Sequence, residues 1–234
     1  MIVYGEMIEI EKLTETCIKT MFTLMNTFYD HMLYDNFTRD LSEKDYCILL
    51  KDEAGKIQGF STQKLISFSL KGKEIHGVFS GDTIIHKDYW GSMALYRTFA
   101  QSFIEYGKQF SEFYWFLISK GYKTYKMLPL FYKTFYPNYQ DQTPDYEKQI
   151  IDAFGQLKYP GEYNEKTGVI EYRGEKDKLK EGVADITPKQ LKDKNIQFFI
   201  NANPNYIHGQ DLVCLARLEL DNLHNTTRRM FMEE

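Results

Sequence analysis

The chain has 234 residues, of which 43% are hydrophobic and 26% are charged, and its formal net charge is −4. These proportions are typical of an ordinary globular protein and argue against long disordered stretches. Because charges of both signs are interspersed, no basic face is indicated that would bind nucleic acid or an anionic membrane.

The cysteines and the first residues of the chain bear on compartment and chemistry. Cys17, Cys47 and Cys214 lie far apart in apolar surroundings, which argues against a disulfide framework and a zinc cluster. No His-x-x-x-His, Cys-x-x-Cys or aspartate-rich pattern is present, so we expect no catalytic metal. Met1 to Leu13 contains glutamates and no long apolar run, so we predict neither a signal peptide nor a spanning helix. A reducing cytoplasm is the compartment that fits these features.

The first part of the chain predicts a strand followed by a helix. Ile2 to Ile10 alternates apolar and polar residues, as a half-buried strand does. Thr14 and Glu15 then supply a capping residue and an acid in the first turn of a helix. The polar stretch from Asp35 to Asp45 is either a loop or a short second helix.

Three further strands and a long helix follow. Tight turns join the strands in an antiparallel meander, and the strands cover Tyr46–Leu50, Ile57–Leu70 and Glu74–His86. A helix begins soon after Gly91, and spacings of three and four place one apolar stripe on it. The members of that stripe are Leu95, Phe99, Phe103, Tyr106 and Phe110. Phe113 to Ile118 is an apolar run that predicts a buried strand, parallel to its predecessor through a right-handed crossover.

The second half predicts shorter elements. Pro129 to Tyr136 reads as a short helix with proline at its first position and Pro137 as a stop. The segment 139–194 is interpreted as an insertion that contains an amphipathic helix and a small hairpin around Lys166-Thr167-Gly168. We expect it to cover the open side of the sheet. Two strands, Asn195–Ala202 and Asp211–Leu220, and a helix over Asp221–Met232 complete the chain.

This order of elements resembles the GNAT superfamily, the acyl-CoA-dependent N-acyltransferases. In that family the fourth strand runs into a loop of pattern Arg/Gln-x-x-Gly-x-Gly/Ala and then a long helix. The corresponding segment here reads Ile85-His86-Lys87-Asp88-Tyr89-Trp90-Gly91-Ser92-Met93-Ala94-Leu95. Tyr89 and Gly91 agree with the family. Trp90 replaces the Arg or Gln, and Met93 and Leu95 replace the two later glycines, which in the family let the backbone approach a pyrophosphate closely.

The resemblance implies an α+β fold, with a GNAT-like mixed sheet of six or seven strands and helices on both faces. It implies a single domain, residues 1–234, with the insertion 139–194 before the last two strands. The implied function is transfer of an acyl group from acetyl-CoA or another acyl-CoA to a small amine. Related enzymes that use carrier-protein thioesters are a variant of this hypothesis. The alternative is a non-catalytic GNAT-like domain that binds a ligand or a partner.

The resemblance also implies particular site residues. The coenzyme A pyrophosphate would bind at a helix N-terminus with backbone N–H groups, although more weakly than at a glycine-rich loop. The implied cofactor-binding residues are Ile85, His86, Trp90, Gly91, Ser92, Met93, Ala94 and Leu95. Tyr132 corresponds to the family's tyrosine, which protonates the departing thiolate. A homodimer is compatible with the sequence.

Asp82 is a candidate general base. A carboxylate between Gly81 and Thr83 in an apolar strand is costly to bury unless it is hydrogen-bonded or used. It lies near the position at which GNAT members place a base. The alternative interpretation is a satisfied aspartate at a β-bulge or a strand-end turn.

Overall fold

The computed structural model describes residues 2–174, 177–183 and 185–232. Within these ranges the strands are β1 (Val3–Glu9), β2 (Tyr29–Asp30), β3 (Tyr46–Asp52), β4 (Ile57–Leu70), β5 (Lys73–Ile85), β6 (Phe113–Ser119), β7 (Tyr163–Asn164), β8 (Val169–Ile170), β9 (Lys178–Leu179) and β10 (Asp211–Arg217). The α-helices are α1 (Glu15–Phe28), α2 (Tyr34–Ser42), α3 (Ala94–Gly107), α4 (Tyr122–Tyr125), α5 (Met127–Phe131), α6 (Asp145–Lys158), α7 (Lys194–Ala202) and α8 (Asn225–Met232). None of the helices in these ranges has the length and apolar character that crossing a bilayer requires.

The main sheet has eight strands in the order β1-β3-β4-β5-β6-β10-β8-β7. Neighbouring strands are antiparallel everywhere except at β5 and β6, which are parallel. The predicted α+β fold class, with an antiparallel meander that becomes parallel after the long helix, is therefore confirmed. The sheet is wider than the predicted six or seven strands, because the hairpin β7–β8 extends it beyond β10. A separate pair is formed by β2 and β9.

Apolar side chains cover both faces of the main sheet, as predicted. On one face, which we call the α3 face, the core contains Val78 and Trp115 together with residues of α3, α5, α7 and α8. On the other face, the α6 face, Phe79 and Phe116 pack against α6, while α1 and α2 cover β3 and part of β4. Because neighbouring residues of a strand point to opposite faces, Val78 and Phe79 establish which face each residue of β5 meets.

The prediction of a strand over Asn195–Ala202 is wrong, because α7 occupies this segment. A short apolar run does not by itself distinguish a buried strand from a buried helix. The Asp193 carboxylate caps the N-terminus of the helix, because it accepts hydrogen bonds from the first two N–H groups after Lys194. Ile196 and Phe199, three residues apart, are then buried on one side of the helix. Consequently β10 has β8, and not a strand at 195–202, as its outer neighbour.

The predicted helix over Pro129–Tyr136 is also wrong in its position. Helix α5 begins before the proline and ends at Phe131. Tyr132 and Tyr136 lie in extended backbone that forms bridges to the residues around Leu223 and to β10. Pro129 sits in the first turn, where a missing N–H costs nothing, and a residue before a proline, such as Tyr136, favours extended backbone.

The segment 139–194 contains α6 and the hairpin β7–β8 where the sequence predicted a helix and a hairpin; residues 175, 176 and 184 lie outside the described residues. The ring of Phe154 on α6 stacks on Phe116 of β6 with 4.5 Å between centroids. Ile150 and Ile151 are buried beside it. The helix therefore covers the α6 face across β6 and β10.

We expect Asp193→Ala to lower the free energy of unfolding by about 1 kcal/mol, because α7 loses its N-terminal cap. Urea unfolding monitored by circular dichroism measures this change. Asp193→Asn is the matched control, since the amide oxygen still caps the helix while the ion pair with Lys126 is lost. Equal stability of wild type and Asp193→Ala would show that the cap does not hold the helix.

Candidate functional site

Strands β5 and β6 diverge part-way along their length. They pair from His76 opposite Phe113 to Ser80 opposite Leu117. Beyond Ser80, β5 continues to Ile85 and pairs with β4 alone among the described residues. A gap between two parallel strands leaves backbone N–H and C=O groups of β5 without a neighbouring strand, and such an edge can bind an extended ligand.

A β-bulge lies where the two strands separate. Ser61 pairs with Thr83 and Gln63 with Ser80, so Gly81 and Asp82 together oppose the single residue Thr62. Asp82 therefore lies at a β-bulge, one of the two settings considered for it, and its role as a base stays a prediction. A Cβ at Gly81 would lie 2.7 Å from both Thr62 Oγ1 and Lys44 Cε, so a larger residue at this position would displace those side chains. Bulges redirect side chains and are frequent beside active sites.

Asp82 is half-buried on the α6 face. Burial, followed by the negative charge of Asp40, raises the pKa of its carboxyl to about 6, although Lys44 opposes the rise. The Lys44 side chain is almost fully buried and pairs with Asp40, and its Cε lies close to Gly81. Because the pKa is about 6, the carboxylate is mostly ionised at neutral pH and can accept a proton.

Tyr132 lies on the opposite side of the sheet, the α3 face. Its buried ring is 5.6 Å from the ring of Trp115, and Trp115 Nε1 donates a 2.8 Å hydrogen bond to Ser80 Oγ. Burial raises the pKa of the Tyr132 phenol, so the hydroxyl remains protonated at neutral pH. The structure therefore places Asp82 and Tyr132 near the same level of β5 but on opposite faces, and it does not bring them into contact.

The loop after β5 combines a short 3-10 turn with the N-terminus of α3. Gly91 has φ of +97°, and an added Cβ would have no neighbouring atom within 4 Å, so glycine is needed there for conformation and not for space. The N–H groups of Gly91, Met93, Leu95 and Tyr96 have no acceptor among the described residues, whereas Ala94 N–H donates to Ser92 Oγ. Leu95 itself is buried in the core. A set of unpaired N–H groups at a helix N-terminus is suited to an anion.

Trp90 and His86 stabilise this loop. Trp90 Nε1 donates a 2.8 Å hydrogen bond to the Ile85 carbonyl, and its ring packs beside Phe28. The Lys123 ammonium lies 3.6 Å from the centre of the Trp90 ring. His86 Nδ1 accepts from Asp88 N–H at 3.4 Å. The side chain of Trp90 thus satisfies one edge carbonyl of β5 and contacts a residue that follows β6.

Residues 177–183, which we call the strap, connect the two sides of this region. Their β9 pairs with β2 at the end of α1. Lys120, which directly follows β6, donates to Asp177 Oδ2 at 2.7 Å, and Lys123 donates to the Val183 carbonyl at 2.6 Å. The side chain of Lys120 is only 12% exposed, and Asp211 lies 3.8 Å from its ammonium. Neither lysine was a predicted site residue, since only the folded chain brings them to the strap.

Thr62, opposite the bulge, and the adjacent Gln63, opposite Ser80, carry polar atoms without partners among the described residues. Thr62 Oγ1 and both amide atoms of Gln63 are buried and have no hydrogen-bond partner among the described residues. Buried polar atoms are normally paired, because an unpaired one loses its hydrogen bonds to water without compensation. Because consecutive residues of a strand point to opposite faces, the unpaired atoms of Thr62 lie on the α6 face and those of Gln63 on the α3 face.

The comparisons with known proteins concern the fold. No family model and no curated protein matches the chain. Among solved structures, an Enterococcus faecalis protein described as a probable N-acyltransferase aligns with 14% identity and a TM-score of 0.42, over 58% of this chain and 33% of that one. A GNAT family N-acetyltransferase from Escherichia coli in complex with CoA aligns with 10% identity and a TM-score of 0.36, over 51% and 65%. The ribosomal-protein-S18-alanine N-acetyltransferase from E. coli aligns with 14% identity and a TM-score of 0.38, over 59% and 85%.

The chain spans about a third of the length of the E. faecalis protein. At these scores the fold assignment depends on the strand order of this chain itself. That order combines an antiparallel meander, a crossover through α3 to a parallel β6, and the divergence after Ser80. This strand order agrees with the mixed sheet that the resemblance to the GNAT superfamily implies. Compared with the GNAT loop pattern, the segment 85–95 keeps the strand-to-helix junction and one glycine.

We expect the stability difference between Asp82→Asn and wild type to depend on pH. The carboxyl pKa is about 6 in the folded chain, against about 3.9 in an unfolded one. The folded state therefore binds more protons between these values, and ionised Asp82 reduces stability as the pH rises through this window. Asp82→Asn should become more stable relative to wild type from pH 4 to 6 and keep that difference above pH 6.

Melting temperatures measured between pH 4 and 8 test this expectation. Asp52→Asn is a control of opposite sign, because a hydrogen bond from Gln58 lowers the Asp52 pKa and the ionised form stabilises the fold. A difference between Asp82→Asn and wild type that is constant across the window would contradict the assignment of a raised pKa.

We expect Lys120→Met to loosen the strap, since Asp177 loses its buried ionic partner. Limited proteolysis followed by mass spectrometry should then detect faster cleavage within 177–183 than in wild type. Lys166→Met, in the exposed turn of the hairpin β7–β8, serves as the control and should be cleaved like wild type. Unchanged cleavage in Lys120→Met would mean that Lys120 does not hold the strap.

Proposed function

We propose that the protein is an N-acyltransferase that moves an acyl group from a coenzyme A thioester to a small amine. The observation that carries this proposal is the divergence of β5 from β6 at the Gly81–Asp82 bulge. A carboxylate lies on one face of that point and a phenol on the other, while unpaired N–H groups lie at the end of the same strand.

We assign the acyl-CoA donor to the gap between β5 and β6 and to the loop after β5. The N–H groups of Gly91, Met93, Leu95 and Tyr96, at the positive end of the α3 dipole, would hold the pyrophosphate. The residues that we propose to form or support this pyrophosphate site are Ile85, His86, Trp90, Gly91, Ser92, Met93, Ala94 and Leu95. Because side chains replace two glycines of the family pattern, we expect affinity for coenzyme A to be modest.

The reaction requires one nucleophile and two proton transfers. The amine nitrogen attacks the thioester carbonyl carbon, the new C–N bond forms and the C–S bond breaks. Asp82 accepts the amine proton, directly or through water, and the Tyr132 hydroxyl gives a proton to the departing thiolate. An alkyl ammonium has a pKa near 10.4, so a base is needed at neutral pH, and positioned acid–base groups contribute about 10² to 10⁴ in rate.

The acceptor is assigned to the α6 face, beside Asp82. We propose that the segment 139–194 is an insertion in a single GNAT-like domain and that its strap forms one wall of the acceptor site. The support for this is the position of the strap, which joins the end of α1 to Lys120 and Lys123 at the end of β6.

Release of free thiol from acetyl-CoA and longer acyl-CoAs, measured with panels of primary amines, tests the proposed activity. With an amine that is accepted, Tyr132→Phe and Asp82→Asn should each lower kcat by about 10² or more while CoA affinity is retained. Tyr136→Phe and Asp141→Asn are matched controls and should react like wild type. Wild-type turnover in both site variants would remove the support for these roles.

A second candidate function is a non-catalytic domain that binds a ligand or a partner. One observation favours it. The Trp90 indole already donates a hydrogen bond to the Ile85 carbonyl, and the Lys123 ammonium packs on the Trp90 ring beside the loop. Calorimetric titration separates the two functions. Binding of CoA without turnover of any acyl-CoA would favour the binding domain, and no binding of CoA or acyl-CoA at millimolar concentration would overturn a coenzyme A donor.

A further inference from the structure

Gln63 is a buried amide that the folded chain leaves unpaired. The residue is fully buried on β4, and neither Oε1 nor Nε2 has a hydrogen-bond partner among the described residues. Another glutamine of the same strand, Gln58, donates from Nε2 to Asp52 at 2.7 Å. Gln63 therefore differs from Gln58 in having both amide atoms unpaired, and this is costly, because a buried amide without partners loses its hydrogen bonds to water.

The side chain of Gln63 lies on the α3 face at the level where β5 and β6 separate. Residues directly opposite each other in antiparallel strands share a face, and Gln63 is opposite both Tyr46 and Ser80. The Tyr46 ring contacts Phe103 of α3, and Ser80 accepts the Trp115 indole hydrogen bond. The same indole packs on Tyr132. Gln63 is thus on the side from which Tyr132 would protonate the thiolate.

The chemistry of Gln63 restricts what can satisfy it. Its oxygen needs a donor and its nitrogen needs an acceptor, so the complementary group carries both. A thioester offers only acceptors, and a saturated acyl chain offers neither a donor nor an acceptor. A secondary amide offers one N–H and one C=O, and the phosphopantetheine arm of an acyl donor contains two such amides, one of them two carbons from the sulfur.

We infer that Gln63 binds a secondary amide of the phosphopantetheine arm of the donor. This inference rests on the proposed function and identifies a donor-binding residue outside the loop after β5. Gln63 would contact the pantetheine arm, whereas the loop would contact the pyrophosphate. The contact at Gln63 therefore does not depend on the two glycines that the loop lacks. The arm is the same whether coenzyme A or a carrier protein presents it.

The test compares ligands that contain the arm with one that does not. Gln63→Leu should weaken binding of CoA at least tenfold, while binding of adenosine 3′,5′-diphosphate, which has no pantetheine arm, should stay within twofold of wild type. Gln58→Leu, which removes an amide that already has a partner, should leave both affinities unchanged. The free Gln63→Leu protein should also melt at a higher temperature than wild type, because its interior no longer contains the unpaired amide.

Two further measurements identify the source of the pantetheine arm and separate this inference from the proposed function. If a holo acyl carrier protein is the donor, Gln63→Leu should weaken its binding, and the apo carrier protein, which lacks the arm, should bind both proteins equally. Equal affinity of wild type and Gln63→Leu for CoA and for the holo carrier protein would overturn the inference alone. A wild-type protein that binds neither would overturn the proposed function.

Discussion

The single extra residue in β5 is the constraint on which the candidate site depends. Without it, alternation along the strand would place Asp82 on the same face as Ser80 and Trp115. With Gly81 and Asp82 both opposite Thr62, the alternation resumes one residue later, and Thr83 shares a face with Ser61 through a 2.8 Å contact between their hydroxyls. The bulge therefore separates a carboxylate on one face from a phenol on the other, and pairing with β6 ends where the bulge begins.

Beyond Ser80, where β5 and β6 no longer pair, other elements connect the two strands. The strap does so at the far end, where its β9 pairs with β2. Lys120 donates to the backbone carbonyl and the carboxylate of Asp177, and Lys123 donates to the Val183 carbonyl. Trp90 does so at the loop, because its indole satisfies the Ile85 carbonyl on an edge that has no neighbouring strand. These contacts replace the ladder that a continuous β5–β6 pair would form.

Much of the fold follows from local sequence. Ile57–Leu70 matches β4 in full, because turn residues with glycine border both ends of a long run that favours extended backbone. The apolar stripe of Leu95, Phe99 and Phe103 identifies α3 for the same local reason. The prediction of a strand at 195–202 is wrong, although Asp193 is a local signal of a helix N-terminus. Tyr132 was placed on a helix because the extended backbone after α5 depends on bridges to distant residues.

The site could be predicted only in part. The sequence identified Asp82 and both of its interpretations, but the register of β4 against β5 was needed to show the bulge. Lys44, Lys120 and Lys123 look like ordinary surface lysines in the sequence, and only packing brings them beside Gly81, Asp177 and Trp90. Gln63 gave no signal either, because being buried and unpaired is a property of the folded chain.

In the function we propose, the open edge of β5 and the N-terminus of α3 form one donor site. Amide chemical-shift mapping of ¹⁵N-labelled protein with added acetyl-CoA tests it most directly. We expect the largest shifts in the residues that line the gap and the loop, which are Thr83, Ile85, Gly91, Met93, Leu95 and Tyr96. Shifts confined to another surface, such as the groove between the end of α3 and Arg217 to Asp221, would contradict it.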